Sequence, residues 1–186
     1  MSVGQEIYQK LAEHGTTVRA LGIPNETTHQ GRLKIAAQMI NAQRTSAILD
    51  FGCGFGDLWP WLRTDIVYTG MDSRPEMLNE ARRRYPGDPG VFKTAAQISG
   101  LTFETVAALG VLVTVRPNEL TDFMTRTLGR LAAKRLVVSW IPTLRGAKAY
   151  KGVFNTHRMS DFIEGWNCVF EKETTGEVTA LLERKR

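Results

Sequence analysis

Ser46–Trp61 reads SAILDFGCGFGDLWPW. Ala47, Ile48 and Leu49 form an apolar run suited to a short buried strand, and Asp50 closes it. Gly52, Gly54 and Gly56 then bring the chain round a tight bend. Glycine suits such a place because the backbone must adopt angles that a side chain forbids, and because a ligand can then approach bare main chain. Pro60 suits a first helical turn, so the sequence predicts a helix N-terminus facing the same space as the N–H groups of the bend.

The spacing decides the kind of ligand. The dinucleotide pattern G-x-G-x-x-G would need a glycine at position 57, which is Asp57, and the phosphate loop G-x-x-x-x-G-K-[ST] does not fit either. What stands here is D-x-G-x-G-x-G, from Asp50 through Phe51, Gly52, Cys53 and Gly54 to Gly56. A second acid accompanies it. Ile66–Met71, IVYTGM, reads as a second strand, and Asp72 at its end lies 22 positions past Asp50. An acid about 20 positions beyond such a loop can accept hydrogen bonds from both hydroxyls of a ribose. The plainer readings are a glycine-rich turn without a ligand and, for Asp72, an ordinary helix cap. Ser73 and Pro75 open the next helix, and Met77 is expected along the ribose or adenine edge.

The segment D-x-G-x-G-x-G resembles the first motif of the class I S-adenosylmethionine-dependent methyltransferases. Strands and helices alternate from Ser46 to Trp140, with helices expected over Pro75–Arg84 and Leu120–Lys134 and strands over Val91–Thr94, Thr102–Leu112 and Arg135–Trp140. Asn167–Lys172 and Val178–Leu182 read as a closing hairpin. The expected fold is α/β: a Rossmann-like, seven-stranded, mostly parallel sheet with helices on both faces and a C-terminal antiparallel hairpin. One domain is expected, with residues 1–44 as a helical cover and 45–186 as the core. Within the cover, helices are read over Val3–Glu13 and Thr27–Ile40, with Asn25 as a cap, and this part supplies the substrate wall.

GIPNETTHQGRLKI, DFGCGFGDLWPWL and YTGMDSRPEMLNEARRRYP are similar to stretches of small bacterial methyltransferases. That resemblance implies S-adenosyl-L-methionine as cofactor, S-adenosyl-L-homocysteine as product, and Arg32 at the carboxylate of the methionine part. Ala95 and Ala96 are placed near adenine and Leu109 at the end of the fourth strand. Two departures stand out. Lys93-Thr94-Ala95-Ala96 offers no carboxylate for the adenine amino group, which leaves backbone groups, Gln97 or apolar contact. Ala108-Leu109-Gly110-Val111 is not the motif by which amino-group methylases of DNA bases hold their nitrogen.

Composition limits the alternatives. The net charge is +5, and its clusters, Arg82–Arg84 and Arg184–Arg186, are not interleaved with aromatics, so they read as a solvated helix face and a charged tail. No membrane span, metal set or secretory segment is read, and the cytosol is the expected compartment. Cys53 and Cys168 are expected reduced, with Cys53 a small packing residue. The reading is transfer of a methyl group to oxygen or nitrogen of a small molecule. A non-catalytic cofactor-binding protein and a nucleic-acid methyltransferase are the alternatives, nucleic acid not being the expected partner. His29 and His157 are the candidate bases, with Tyr8 and Tyr150 behind them; the oligomeric state is left open.

Overall fold

The computed structural model describes residues 15, 17–21, 23, 25–115, 117–140, 164–174 and 177–185. The helix read over Val3–Glu13, Tyr8, Tyr150 and His157 lie outside them. The first described helix, α1, spans Glu26–Asn41, and its start follows from a cap: the Asn25 carboxamide oxygen accepts the Thr28 N–H at 3.0 Å. Beyond it come β1 (Ala47–Phe51), β2 (Val67–Met71), α2 (Pro75–Arg84), β3 (Phe92–Lys93) and β4 (Phe103–Leu109). A helical run over 120–131, α3, leads into β5 (Ala132–Trp140), and β6 (Trp166–Thr174) and β7 (Glu177–Arg184) close the chain.

The seven strands form one sheet in the order β3-β2-β1-β4-β5-β7-β6. Strands β3 through β5 pair parallel, whereas β7 runs antiparallel to both β5 and β6. Parallel strands covered on both faces carry no polar side, which is why AIL in β1 and LVV in β5 are uninterrupted. Successive residues serve opposite cores. Leu49, Val106, Leu136 and Val138 join Leu120, Met124 and Leu128 of α3 on one face. Ile48, Ala107, Val137 and Leu181 join Leu33, Ala36, Ala37 and Ile40 of α1 on the other.

Three expected boundaries move. The glycine bend does not lead into a helix: Trp59–Trp61 makes only a three-residue 3₁₀ turn, so the expected helix N-terminus is absent from this crossover. Aromatic rings occupy that ground instead, with Trp59 stacked on Tyr68 at 5.3 Å and set against Phe92 and Tyr85. The end of α1 is tied to this turn through Asn41, which donates to the Trp61 carbonyl and accepts the Arg63 N–H. Strand β4 stops at Leu109 because Gly110, at φ +72°, turns the chain away. Helix α3 ends before Lys134, since Ala132 already pairs with Phe103 in β5, and Arg184 gathers the carbonyls of Gly129 and Ala132 at 2.6 and 2.7 Å. Within α3, Phe123–Leu128 is a π-helical stretch.

At the far edge, β6 shows a register shift between Cys168 and Phe170, and Val169 through Glu173 face solvent. Arg84, read as part of a solvated face, turns inward instead: it lies 4.2 Å over the Phe55 ring and bonds to Glu80 and Asp57. We expect Asn25→Ala to lower stability by about 1 kcal/mol, the usual worth of such a cap. Urea unfolding measures this, and an unchanged midpoint would show that α1 is held by packing alone.

Candidate functional site

The bend after β1 folds back on the end of β2. The N–H groups of Gly52 and Cys53 both donate to the Met71 carbonyl, at 2.7 and 2.8 Å. Gly52 and Gly54 have φ of +74° and +53°, angles that L side chains rarely adopt. A Cβ on Gly52 would also meet the Val111 side chain at 2.5 Å, and one on Gly54 would meet Leu21 at 2.5 Å. The decisive contact comes from the next residue of the second strand's end. The Gly54 N–H donates to Asp72 Oδ2 at 2.9 Å, and the Arg74 N–H donates to Oδ1 at 2.9 Å. Asp72 thus holds the backbone of Arg74, the residue before α2, and the glycine bend at once. Burial raises its pKa, against the lowering effect of those two N–H groups.

Asp50 lies beside this pair, 4% exposed, and accepts the Tyr68 hydroxyl at 2.9 Å. Burial, opposed by that hydrogen bond and helped by Asp72 and Asp57, pushes its pKa up to about 7. The Cys53 thiol is pushed up by burial and by Asp50, which makes it a poor nucleophile. Both cysteines are free.

A cavity of about 800 Å³ opens over these residues. Of the residues singled out in the sequence, Asp50, Phe51, Gly52, Cys53 and Gly54 line it from β1 and the bend. Asp72, Ser73, Ala95 and Leu109 line it from the ends of β2, β3 and β4, and His29 and Arg32 from α1. Three do not reach it. Gly56 faces the Phe92 and Tyr85 rings, where a Cβ would come within 2.6 Å of Phe92, so it serves packing. Met77 is buried against Phe55, below the bend. Ala96 begins an exposed 3₁₀ turn, and Ile98, Ser99 and Gly100 after it line the cavity instead. The Gln97 carboxamide oxygen is engaged by the Thr94 N–H at 2.8 Å and is not among the lining groups.

The partners of His29 and Arg32 were not legible in advance. His29 Nε2 lies 2.9 Å from Asp57 Oδ2, while Arg84 donates to Asp57 Oδ1 at 3.0 Å. Burial would raise the Asp57 pKa, but His29 and Arg84 together outweigh it and hold the carboxyl below its ordinary value. Arg32 Nε pairs with Glu177 Oε1 at 2.7 Å, with both side chains buried, and its guanidinium lies against Gly110. No sequence signal links positions 29 and 57, or 32 and 177. Among the described residues no group of three or more His, Cys, Asp or Glu forms a metal set, and no helix is long and apolar enough to cross a membrane.

This seven-stranded fold, with its antiparallel closing hairpin, is similar to that of solved methyltransferases. The magnesium protoporphyrin IX methyltransferase from Synechocystis PCC 6803 with bound SAH is 20% identical, with a TM-score of 0.66 over 84% of each chain. The chain has the class I methyltransferase fold. The O-methyltransferase TomG from Streptomyces achromogenes, in complex with SAM, is 16% identical with a TM-score of 0.60, over 95% of this chain and 89% of that one. The 16S rRNA methylase ArmA is 16% identical with a TM-score of 0.59, over 97% of each chain. Neither a family model nor a curated protein sequence matches the chain.

The state of Asp50 gives a stability test. Its pKa is raised in the fold, so the native state holds a proton that the unfolded chain releases, and stability is lost as pH rises from 3.8 toward about 7. Asp50→Asn removes that dependence. The difference in urea stability between Asp50→Asn and wild type should grow across this interval and level off above it; a constant difference would mean that Asp50 is ionised throughout.

Proposed function

We propose that the chain is an S-adenosylmethionine-dependent methyltransferase acting on oxygen or nitrogen of a small molecule. The observation that carries the reading is the hydrogen bond from the Gly54 N–H to Asp72 Oδ2, which brings the bare backbone bend and the second-strand acid to one cavity. Each carboxylate oxygen of Asp72 has a further lone pair, enough to accept a ribose hydroxyl. The bend supports this cofactor over a dinucleotide, because Asp57 stands where the dinucleotide pattern needs its third glycine. The short 3₁₀ turn at Trp59–Trp61 supplies no helix N-terminus for a phosphate.

When bound, such a cofactor supplies an already activated methyl group. The chain's own residues then have three tasks. Gly52 and Gly54 admit the ligand close to the main chain, Asp72 and Ser73 hold the ribose side, and Ala95 and Ile98 give an apolar wall for the base. Arg32 is the reading for the carboxylate of the methionine part. Leu21, Ile23, Leu33 and Leu58 keep water from the remaining space, and alignment of this kind contributes about 7–11 kcal/mol in favourable cases. The cavity volume falls in the range of small-molecule sites, which supports a small acceptor over a nucleic acid.

Calorimetry with S-adenosylhomocysteine and with NAD tests this. Wild type should bind the first and not the second, and Asp72→Asn should weaken binding by about tenfold or more, through both the ribose contact and the loosened bend. Equal affinity in the two proteins would remove Asp72 from the site, and binding of NAD alone would overturn the reading. Incubation with methyl-labelled cofactor and a metabolite extract should place label in a low-mass species; label in RNA or DNA only would overturn the acceptor class.

A further inference from the structure

The cavity does not end at the tips of the strands. Gly100 and Leu131 both line it, yet Gly100 precedes β4 and Leu131 precedes β5. Its lining therefore continues from the carboxyl ends of β1 and β2, along one face of the sheet, toward the starts of β4 and β5. That face is the one α3 covers, since Ile98 of the β3–β4 crossover joins Leu120, Met124 and Leu128 in a single core. A parallel crossover usually carries an α-helix. Between β3 and β4 the chain makes only the 3₁₀ turn Ala96–Ile98, and among the described residues the space beside α3 is left as a groove.

The wall that α3 gives to this groove is basic. Arg126 and Arg130 stand four residues apart, on one face of the helical run, and both line the cavity. Like charges at that spacing repel, so the pair costs stability unless an anion is near. Arg126 has Asp122 at 2.8 Å, but both side chains are mostly exposed, a setting in which an ion pair contributes little. Asp122 does not line the cavity. Arg130 has no hydrogen-bond or ion-pair partner among the described residues. The crossover and α3 contribute no acid to the described lining, whereas Ser99 and Thr127 add hydroxyl donors.

The backbone at this place is unusual as well. Arg126 and Thr127 fall within the π-helical stretch Phe123–Leu128, and such stretches are rare and concentrate at functional sites. Leu131 and the crossover supply the apolar part of the groove. Two guanidinium groups above an aliphatic side chain suit a ligand that carries an acid group on an apolar body, because the guanidinium fork matches the paired oxygens of carboxylate, sulfonate and phosphate. A cavity of about 800 Å³ lies toward the upper end of small-molecule sites, which leaves room for a second ligand beside one held at Asp72.

We propose that the groove between the β3–β4 crossover and α3 binds a small organic anion, its acid group between Arg126 and Arg130 and its apolar body against Leu131, beside the cofactor and not in its place. Binding of the anion does not rest on the methyltransferase reading of the cavity; only its coexistence with the cofactor does.

Two dyes test this. Anilinonaphthalenesulfonate brightens on binding and carries an acid group on apolar rings, and phenylnaphthylamine has the same rings without the acid. By fluorescence titration, wild type should bind the sulfonate, and the double variant Arg126→Ala with Arg130→Ala should weaken it by about tenfold or more while phenylnaphthylamine stays within about twofold. Arg130→Lys, which keeps the charge but not the fork, should lose less than Arg130→Ala. Saturating S-adenosylhomocysteine should leave the sulfonate bound, and its own affinity, read by calorimetry, should be unchanged in the double variant, which reports that the fold is intact. No binding of the sulfonate by wild type, unchanged affinity in the double variant, equal loss of both dyes, or displacement of the sulfonate by S-adenosylhomocysteine would each overturn the proposal. Wild type that binds the sulfonate through these arginines but does not bind S-adenosylhomocysteine would support the groove and remove the cofactor reading, so the two failures are distinct.

Discussion

One hydrogen bond governs the arrangement of this molecule's upper surface: the Gly54 amide on Asp72 Oδ2. It joins a bend that follows β1 to an acid that follows β2, and so turns two adjacent strand ends into one concave wall. The bond is charge-assisted and buried, the setting in which such a contact is strongest. Gly54 keeps a left-handed angle there, and Leu21 lies where a Cβ would project, so glycine suits the position twice over. The bend, the acid and the cover segment are thus interdependent.

A second organising theme is the placement of charge. Acids stand at the centre, Asp50 and Asp72 under the bend and Asp57 just beyond it. Bases approach from helices: His29 and Arg32 from α1, and Arg84 from the end of α2. Two of these pairs, His29–Asp57 and Arg32–Glu177, tie α1 to the rest of the fold. The aromatic turn at Trp59–Trp61 makes this direct. With no helix between bend and β2, α1 shares one apolar core with Leu58, Leu62 and Tyr68.

Much of this was legible in the sequence because local rules agree along the core. The run AILD, the glycines and an acid at the distance of Asp72 each follow from a short-range constraint, and PEMLNEARRR gives α2 with its observed bounds. Where reading failed, a long-range contact overrode the local signal. Pro60 suits a helix start, yet Trp59 finds a stacking partner in Tyr68, and the turn stays short. Met77 follows an acid that faces the cavity but drops beneath the bend onto Phe55. Arg84 sits in a basic run that looks solvated, and only the fold reveals Asp57 within its reach. His29–Asp57 and Arg32–Glu177 join residues far apart in the chain, and no periodicity announces such pairs.

The shifted register of β6 has a consequence for how the molecule behaves in company. A regular outer strand offers its free amides and carbonyls as a template on which another chain can extend the sheet. Here the ladder is interrupted between Cys168 and Phe170, and the residues that follow are the charged run Glu171-Lys172-Glu173. A kinked margin bearing alternating charges is a poor template for stacking, so the exposed Val169 and Phe170 are kept from seeding aggregates along that border.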